Sequence, residues 1–214
     1  MNIGIIGSGD VGQALGAGFS VHGHDVKMGS RTPDSEKIKK WVVKTGVHTK
    51  AGTFDEAAKF ANVAVLATLW SGTKNAIDIA GAENLSGKVV IDVTNPLIFK
   101  QDAPPELAVG HTDSGGEQVQ RWLPKSYVVK AFNIIGHAHM VNPEFPGGPP
   151  DMFICGNNDK AKQTVEEICT TFGWNTIDIG GMEGARILEP MSILWVKYGF
   201  QTGTWDHAFK LLKK

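Results

Sequence analysis

Short apolar runs alternate with amphipathic stretches along almost the whole chain. The apolar runs are rich in Val and Ile, which is typical of buried strands. These predicted strands cover residues 2–6, 25–28, 63–67, 89–93, 127–132, 152–155 and 176–179. Between them, helical spacing of apolar side chains predicts helices over residues 11–21, 34–45, 54–60, 73–79, 116–123 and 160–172. Regular alternation of strand and helix predicts parallel strands joined by crossover helices.

Turn-forming residues mark the boundaries of these elements. Two segments rich in Pro or Gly, residues 103–105 and 146–150, are predicted loops, and the second separates the earlier strands from a final strand-helix-strand unit. Ser114 and Glu117 have the spacing of a capping box, and Asp159 precedes the helix predicted from residue 160. We therefore expect helices to begin close to residues 116 and 160.

The chain after Gly181 carries a separate apolar pattern. Leu188, Met191, Leu194, Trp195 and Tyr198 recur at helical spacing, and Trp205 and Phe209 follow. We expect two parts: residues 1–180, which contain the alternating strands and helices, and residues 181–214, a helical segment that serves as a lid or as a dimer contact.

Composition removes several classes of function. The 214 residues contain 21 Lys and Arg against 22 Asp and Glu, so no global field attracts nucleic acid or an anionic membrane. No apolar stretch is long enough to span a membrane, and no leader pattern precedes the first strand. The two cysteines, Cys155 and Cys169, lack metal-site spacing and suit a reducing compartment. We expect a cytoplasmic protein without a metal site.

A glycine-rich turn carries the strongest chemical signal. Residues 7–12 read Gly-Ser-Gly-Asp-Val-Gly, directly after the first predicted strand and at the start of the first predicted helix. This context is typical of a dinucleotide-binding loop. Gly7 permits the tight turn, Gly9 leaves room for a pyrophosphate, and Gly12 lets the helix approach the sheet. We therefore expect Gly7, Ser8, Gly9, Asp10, Val11 and Gly12 to bind the cofactor.

The segment about 20 residues beyond this loop decides between NAD and NADP, because an acidic residue there binds the 2′-hydroxyl of NAD. Here the second strand is followed by Ser30, Arg31 and Thr32. Two hydroxyls and a guanidinium, with no acid, favour the 2′-phosphate of NADP(H). Lys37 either approaches the same phosphate or lies on a solvated helix face.

Two later strands should also end at the cofactor, because open parallel sheets bind ligands beyond the carboxyl ends of their strands. Thr68, Leu69 and Trp70 follow one of these strands and are expected to line the diphosphate and ribose. Asn95 and Pro96 follow the next and either hold the nicotinamide carboxamide or form an ordinary turn.

Several motifs together resemble the NADP-dependent coenzyme F420 oxidoreductase family. They are residues 7–12 (GSGDVG), 24–26 (HDV), 29–31 (GSR), 95–97 (NPL), 128–133 (VVKAFN), 151–156 (DMFICG) and 185–190 (ARILEP). The resemblance implies a Rossmann-type, doubly wound, mainly parallel α/β sheet extended by a strand-helix-strand unit, with a small helical C-terminal part. It also implies hydride transfer between NADP(H) and a deazaflavin or flavin, as a small-molecule redox partner, usually in a homodimer.

The same resemblance places the acceptor near the segment after the strand at 127–132. The pocket residues it implies are Asn133, Ile134, Ile135, His137 and Met140. His137 and His139 are candidate proton donors if the acceptor is a carbonyl or imine, or else polar loop residues. Two alternatives to hydride transfer to a deazaflavin therefore stay open: an NADPH-dependent imine or carbonyl reductase, and a non-catalytic NADPH-binding protein.

Overall fold

In the computed structural model, which describes residues 1–101 and 103–214, strands and helices alternate as expected. The strands are β1 Asn2–Ile6, β2 Asp25–Gly29, β3 Thr49–Gly52, β4 Val63–Leu66, β5 Val89–Asp92, β6 Leu97–Lys100, β7 Ala103–Leu107, β8 Tyr127–Lys130, β9 Asp151–Gly156 and β10 Asn175–Asp178. The helices are α1 Asp10–Val21, α2 Glu36–Thr45, α3 Phe54–Phe60, α4 Trp70–Ala80, α5 Gly115–Trp122, α6 Asp159–Thr171 and α7 Ala185–Thr202. Single 3₁₀ turns lie at Ala82–Leu85, His137–His139 and Met182–Gly184.

Eight strands form one twisted sheet in the order β10-β9-β8-β5-β4-β1-β2-β3. All neighbours are parallel except β8 and β9, which are antiparallel and place Lys130 opposite Cys155. The order runs outward in both directions from β1 and β4, which is the doubly wound arrangement. The predicted Rossmann-type sheet with its added strand-helix-strand unit is confirmed.

Apolar cores cover both faces of the sheet, as a parallel sheet between helical layers requires. Successive residues of β4 show this, since Val63 and Val65 belong to one core cluster and Ala64 and Leu66 to the other. The continuous run of apolar residues in this strand therefore follows from its burial on two sides.

Three strands lie where none was predicted. β3 is short and sits at the sheet edge, where Lys50 alternates with the buried Thr49. β6 and β7 form a separate antiparallel hairpin with Leu97 opposite Leu107. The loop prediction for residues 103–105 was therefore wrong: Pro104 and Pro105 lie in β7, which tolerates them because a two-stranded hairpin has free edges that need no further N–H donor.

Helices α5 and α6 begin at Gly115 and Asp159, close to the starts that the sequence predicts. Ser114 caps α5 by accepting from the backbone N–H of Glu117 at 3.1 Å, but the Glu117 carboxylate binds Arg186 rather than closing the box. Asn158, not Asp159, caps α6. In the C-terminal part, α7 ends at Thr202 and the residues beyond it form neither helix nor strand. Among the residues described, no helix is both long and apolar enough to cross a membrane.

Candidate active-site cleft

A cleft of about 1080 Å³ opens beyond the carboxyl ends of β1, β2, β4 and β5. Most of the predicted cofactor-binding residues lie in its wall. These are Gly7, Ser8, Gly9, Asp10, Val11, Ser30, Arg31, Thr32, Thr68, Leu69, Trp70 and Asn95, together with His137. Gly12 and Pro96, which were also predicted to bind the cofactor, do not line the cleft. The strand ends thus bring together segments that are far apart in sequence.

The three glycines of the first loop have distinct geometries. Gly7 has φ of +126° and packs so closely on the Ala67 carbonyl that an added Cβ would lie 2.2 Å from its oxygen. A Cβ on Gly12 would lie 2.0 Å from the Gly7 carbonyl oxygen, so only glycine allows α1 to approach the turn. A Cβ on Gly9 would meet no atom within 4 Å, because this residue faces the open cleft. Gly9 is also the N-cap of α1 and provides no capping side chain, which leaves the helix N–H groups available to an anion.

Asp10, the first residue of α1, introduces a negative charge near this anion site. The Lys37 ammonium on α2 donates to the Asp10 carboxylate at 3.2 Å, and both side chains are largely exposed. The pair offsets the charge of Asp10, which also lies favourably at the positive end of the helix. Lys37 does not line the cleft; it pairs with Asp10 from an exposed position on α2.

The segment after β2 presents a hydroxyl and a guanidinium to the cleft. The buried Ser30 hydroxyl accepts from the Ser8 hydroxyl and from the Thr32 backbone N–H, each at 3.1 Å. Arg31 is exposed at the rim, and within the described residues no carboxylate is in ion-pair range of its guanidinium. This loop is thus internally fixed while its cationic side chain remains available to a ligand.

The far wall of the cleft begins at the end of β4. Thr68 is fixed by a hydroxyl-hydroxyl bond of 2.9 Å to Thr73 in α4. Trp70 lines the cleft and stacks on Trp122 of α5, with ring centroids 5.5 Å apart. The indole of Trp70 is therefore held as a rigid apolar surface beside the opening.

Asn95 is fixed by a reciprocal pair of hydrogen bonds with Asn133. Its Nδ2 donates to the Asn133 carbonyl at 2.7 Å, and its Oδ1 accepts from Asn133 Nδ2 at 3.0 Å. The Nδ2 group and the Oδ1 atom of Asn95 each keep capacity for one further hydrogen bond, so the side chain can still donate to and accept from a ligand carboxamide.

Most of the predicted acceptor pocket does not reach the cleft. Ile134, Ile135 and Met140 belong to the apolar core, and Asn133 is buried behind Asn95. His137 alone of this group lines the opening. The other candidate acid, His139, instead places Nε2 2.8 Å from Asp206 Oδ1.

Leu97 and Phe99 of the β6–β7 hairpin complete the cleft wall. Leu97 belongs to the motif at residues 95–97, but the prolines of β7 concealed the hairpin, so the sequence did not indicate Phe99. Phe99 is 66% exposed, which leaves its ring available to a planar partner.

The sequence also did not predict a cluster of buried charged side chains that lies behind Asn95. Lys130 Nζ lies 2.9 Å from Asp92 Oδ2 and 3.1 Å from Glu189 Oε1, and all three side chains are essentially inaccessible to water. Burial alone would lower the pKa of Lys130, but the two carboxylates outweigh this effect and hold its pKa above the ordinary value. The available signal was a charged residue at the end of each of two apolar strands.

The comparisons with known proteins agree with this geometry. A family model described as NADP oxidoreductase, coenzyme F420-dependent, matches residues 2–96. A crystal structure from Arthrobacter sp. FB24, described provisionally as an F420-dependent NADP reductase, is 33% identical and superposes with a TM-score of 0.94, and the alignment covers 100% of both chains. The chain belongs to this family. The resemblance found in the motifs is thereby confirmed.

Other relatives share a lower identity with this chain or match it over only part of their own length. The F420-dependent NADP reductase of Methanocaldococcus jannaschii is 29% identical over 92% of this chain and 91% of that protein. The metalloreductase STEAP3 of Rattus norvegicus is 28% identical over 89% of this chain, which spans only 36% of that relative's length. An imine reductase of Streptomyces aurantiacus shares the fold, with a TM-score of 0.68 at 16% identity.

Proposed function

We propose that this protein transfers hydride between NADP(H) and a deazaflavin of the coenzyme F420 type. The observation that carries the proposal is the pairing of an open glycine loop at a helix N-terminus with Ser30 and Arg31, in the cleft of a member of this family. The loop supplies an anion site, and the second segment supplies donors for a 2′-phosphate without a competing acid.

The residues present fit such a dinucleotide. The empty space over Gly9 and the uncapped N-terminus of α1 suit a pyrophosphate. Arg31 can pair with a 2′-phosphate, and Ser30 and Thr32 can donate to it. Thr68, Leu69 and Trp70 would flank the diphosphate and ribose, and Asn95, followed by Pro96, would hold the carboxamide.

Positioning is the main task of the protein in this reaction. Bound NADPH supplies the hydride, and the acceptor takes a proton from water to complete a two-electron reduction. Asn95 orients the ring end of the cofactor, while Trp70 and Phe99 bound the space for a second planar ring and reduce its contact with water. Correct orientation alone can lower a barrier by about 7–11 kcal/mol, so the reaction needs no side-chain acid.

NADPH oxidation with defined acceptors tests the proposal. Purified protein is given coenzyme F420, FMN or a cyclic imine, and the loss of absorbance at the nicotinamide wavelength is followed. Reduction of F420 supports the proposal, whereas turnover of the imine alone would establish the reductase alternative. Tight NADPH binding without turnover of any acceptor would identify a non-catalytic NADPH-binding protein.

We also propose a homodimer in the cytoplasm. Leu194, Tyr198 and Phe200 of α7 are each at least half exposed, which suits a helix that packs on a second copy. Cys155 and Cys169 are buried free thiols, in keeping with a reducing compartment. Light scattering during size-exclusion chromatography tests the first point, and a mass of 23.0 kDa would refute it.

A further inference from the structure

The buried cluster of Lys130, Asp92 and Glu189 costs desolvation free energy, and a gain in the stability of the fold does not explain it. Three charged side chains have been removed from water, and attraction between buried charges often only offsets the cost of desolvating them. Apolar residues of similar size would usually serve the fold as well or better. The role of the cluster therefore depends on which neighbouring groups its members bind.

The cluster holds Thr94, the residue directly before Asn95. Lys130 Nζ donates to the Thr94 carbonyl at 2.6 Å. Asp92 Oδ1 accepts from the Thr94 backbone N–H at 2.9 Å and from its hydroxyl at 2.7 Å. Every hydrogen-bonding group of Thr94 is thus tied to a charged partner, and such bonds are about twice as strong as neutral ones.

Asn95 itself is fixed from the other side by Asn133. The Nδ2 group of Asn133 donates both to Asn95 Oδ1 and to the Leu188 carbonyl, at 3.0 and 2.9 Å. Leu188 precedes Glu189, whose carboxylate accepts from the backbone N–H groups of Gly115 and Gly116, each at 2.9 Å. The start of α7 is therefore joined to Thr94 through Glu189 and Lys130, and to Asn95 through Leu188 and Asn133.

The backbone between Lys130 and Asn133 contains an unusual conformation. Phe132 is buried and has φ of +59°, a region that a bulky residue rarely adopts. This turn carries the chain from the end of β8 to the position where the Asn133 carbonyl accepts from Asn95. Such conformations are strained and cluster at functional sites.

We propose that Lys130, Asp92, Glu189 and Asn133 are positioning residues that hold Asn95 in the orientation needed to align the nicotinamide ring for hydride transfer. The inference rests on the proposed function, because it assigns these residues to the ring end of the same cleft. None of them lines the cleft, so they act through Thr94 and Asn95.

Asn133→Leu is the primary test, because it keeps the branched shape of the side chain and removes the bonds from Asn133 Nδ2 to Asn95 Oδ1 and to the Leu188 carbonyl. The bond from Asn95 Nδ2 to the backbone carbonyl of residue 133 remains. Bound NADPH is examined by the fluorescence anisotropy of its nicotinamide, which needs no acceptor, and hydride transfer to F420 is examined with NADPH carrying deuterium on one or the other face of C4. We expect the affinity for NADPH to change by less than about threefold, the anisotropy to fall, and deuterium to move from both faces instead of one. The rate of hydride transfer should fall by at least about tenfold, equivalent to about 1.4 kcal/mol.

Ser126→Ala is the matched control. Ser126 is equally buried and donates to the Leu85 carbonyl at 2.8 Å, but it precedes β8 at the opposite end of the strand from Lys130. We expect it to destabilise the fold without changing the anisotropy or the face selectivity. A comparable loss of selectivity in this control would overturn the assignment, because general loosening would then be the cause.

The charged cluster is tested by the triple variant Asp92→Asn, Lys130→Met and Glu189→Gln, which leaves no buried charge unpaired. It covers the case in which Asn133→Leu does not fold. We expect lower anisotropy and mixed face selectivity again, and wild-type values in a folded triple variant would overturn the role of the cluster. If wild-type protein binds NADPH but does not reduce F420, the proposed acceptor fails while the anisotropy measurement still decides the inference.

Discussion

Gly9 and Gly12 lie three residues apart in the cofactor loop, yet a methyl group should affect them in opposite ways. At Gly12 the new Cβ would lie 2.0 Å from the Gly7 carbonyl oxygen, whereas ordinary contact begins near 3.4 Å. Because Gly7 sits at φ of +126° against β4, it cannot retreat easily, and α1 must shift. At Gly9 the Cβ meets no neighbour, and φ of −71° with ψ of −178° is allowed for alanine.

The expected magnitudes follow from these two environments. Gly12→Ala introduces overpacking, which costs about 1–3 kcal/mol and lowers Tm by about 2–12 °C for a chain of this size. Gly9→Ala gains about 0.4–1 kcal/mol from the less flexible unfolded chain and loses a similar amount as a poorer N-cap. Its Tm should therefore stay close to that of the wild type. Its methyl group would project into the proposed pyrophosphate site, so the affinity for NADP⁺ should fall at least about tenfold.

Differential scanning fluorimetry and calorimetric titration with NADP⁺ measure both quantities on the same samples. We expect normal stability with weak NADP⁺ binding in Gly9→Ala, and clear destabilisation in Gly12→Ala. Unchanged NADP⁺ affinity in Gly9→Ala would mean that the pyrophosphate does not cross this loop. A wild-type Tm in Gly12→Ala would mean that the close approach of α1 to the turn is wrong.

Three further predictions concern single side chains. Arg31→Ala should weaken NADPH about 10- to 150-fold and leave NADH nearly unaffected in fluorescence titrations, and equal effects on both would show that Arg31 does not bind the 2′-phosphate. His137→Ala should lower kcat with F420 less than about tenfold, whereas a loss of about 10²–10⁴ would indicate general-acid catalysis. Arg121 holds the pKa of Asp113 at about 2, so this pair adds stability above about pH 4 that is lost as the pH falls toward 2. Because the pair is partly exposed, Arg121→Gln should remove less than about 1 kcal/mol of that pH dependence in urea unfolding, and no change would refute the coupling.

The sequence predicted those parts of the fold that follow from local pattern. Val and Ile runs marked seven of the eight strands of the large sheet, all but β3, and the spacing of Gly7, Gly9 and Gly12 located the cofactor loop. The sequence pattern did not predict the elements whose conformation depends on tertiary contacts. Pro104 and Pro105 look like a loop, and only the free edges of the hairpin make them acceptable in β7.

The limits of the site prediction have a similar origin. Strand ends can be aligned from sequence because parallel strands share one edge, which placed Ser30, Thr68 and Asn95 together. The acceptor wall depends on how a loop folds back, so Ile134 and Met140 were expected in the cleft but pack in the core. The partnership of Lys130 with Glu189 joins residues far apart in the chain, and no single-sequence signal records such a contact.

The two walls of the cleft rest on backbones of different kinds. The wall with the glycine loop lies at the ends of strands of the eight-stranded sheet. A one-residue slip in the register of such a strand would turn every side chain to the wrong face. The opposite wall, with Leu97 and Phe99, belongs to a hairpin that pairs only with itself and packs beside α7. Because this hairpin forms no strand pairing with the large sheet, we expect insertions or exchanges in it to leave the nucleotide-binding half intact, so that the cleft can accommodate different electron acceptors. Grafting the hairpin of a relative onto this chain should alter acceptor preference while the affinity for NADPH is retained.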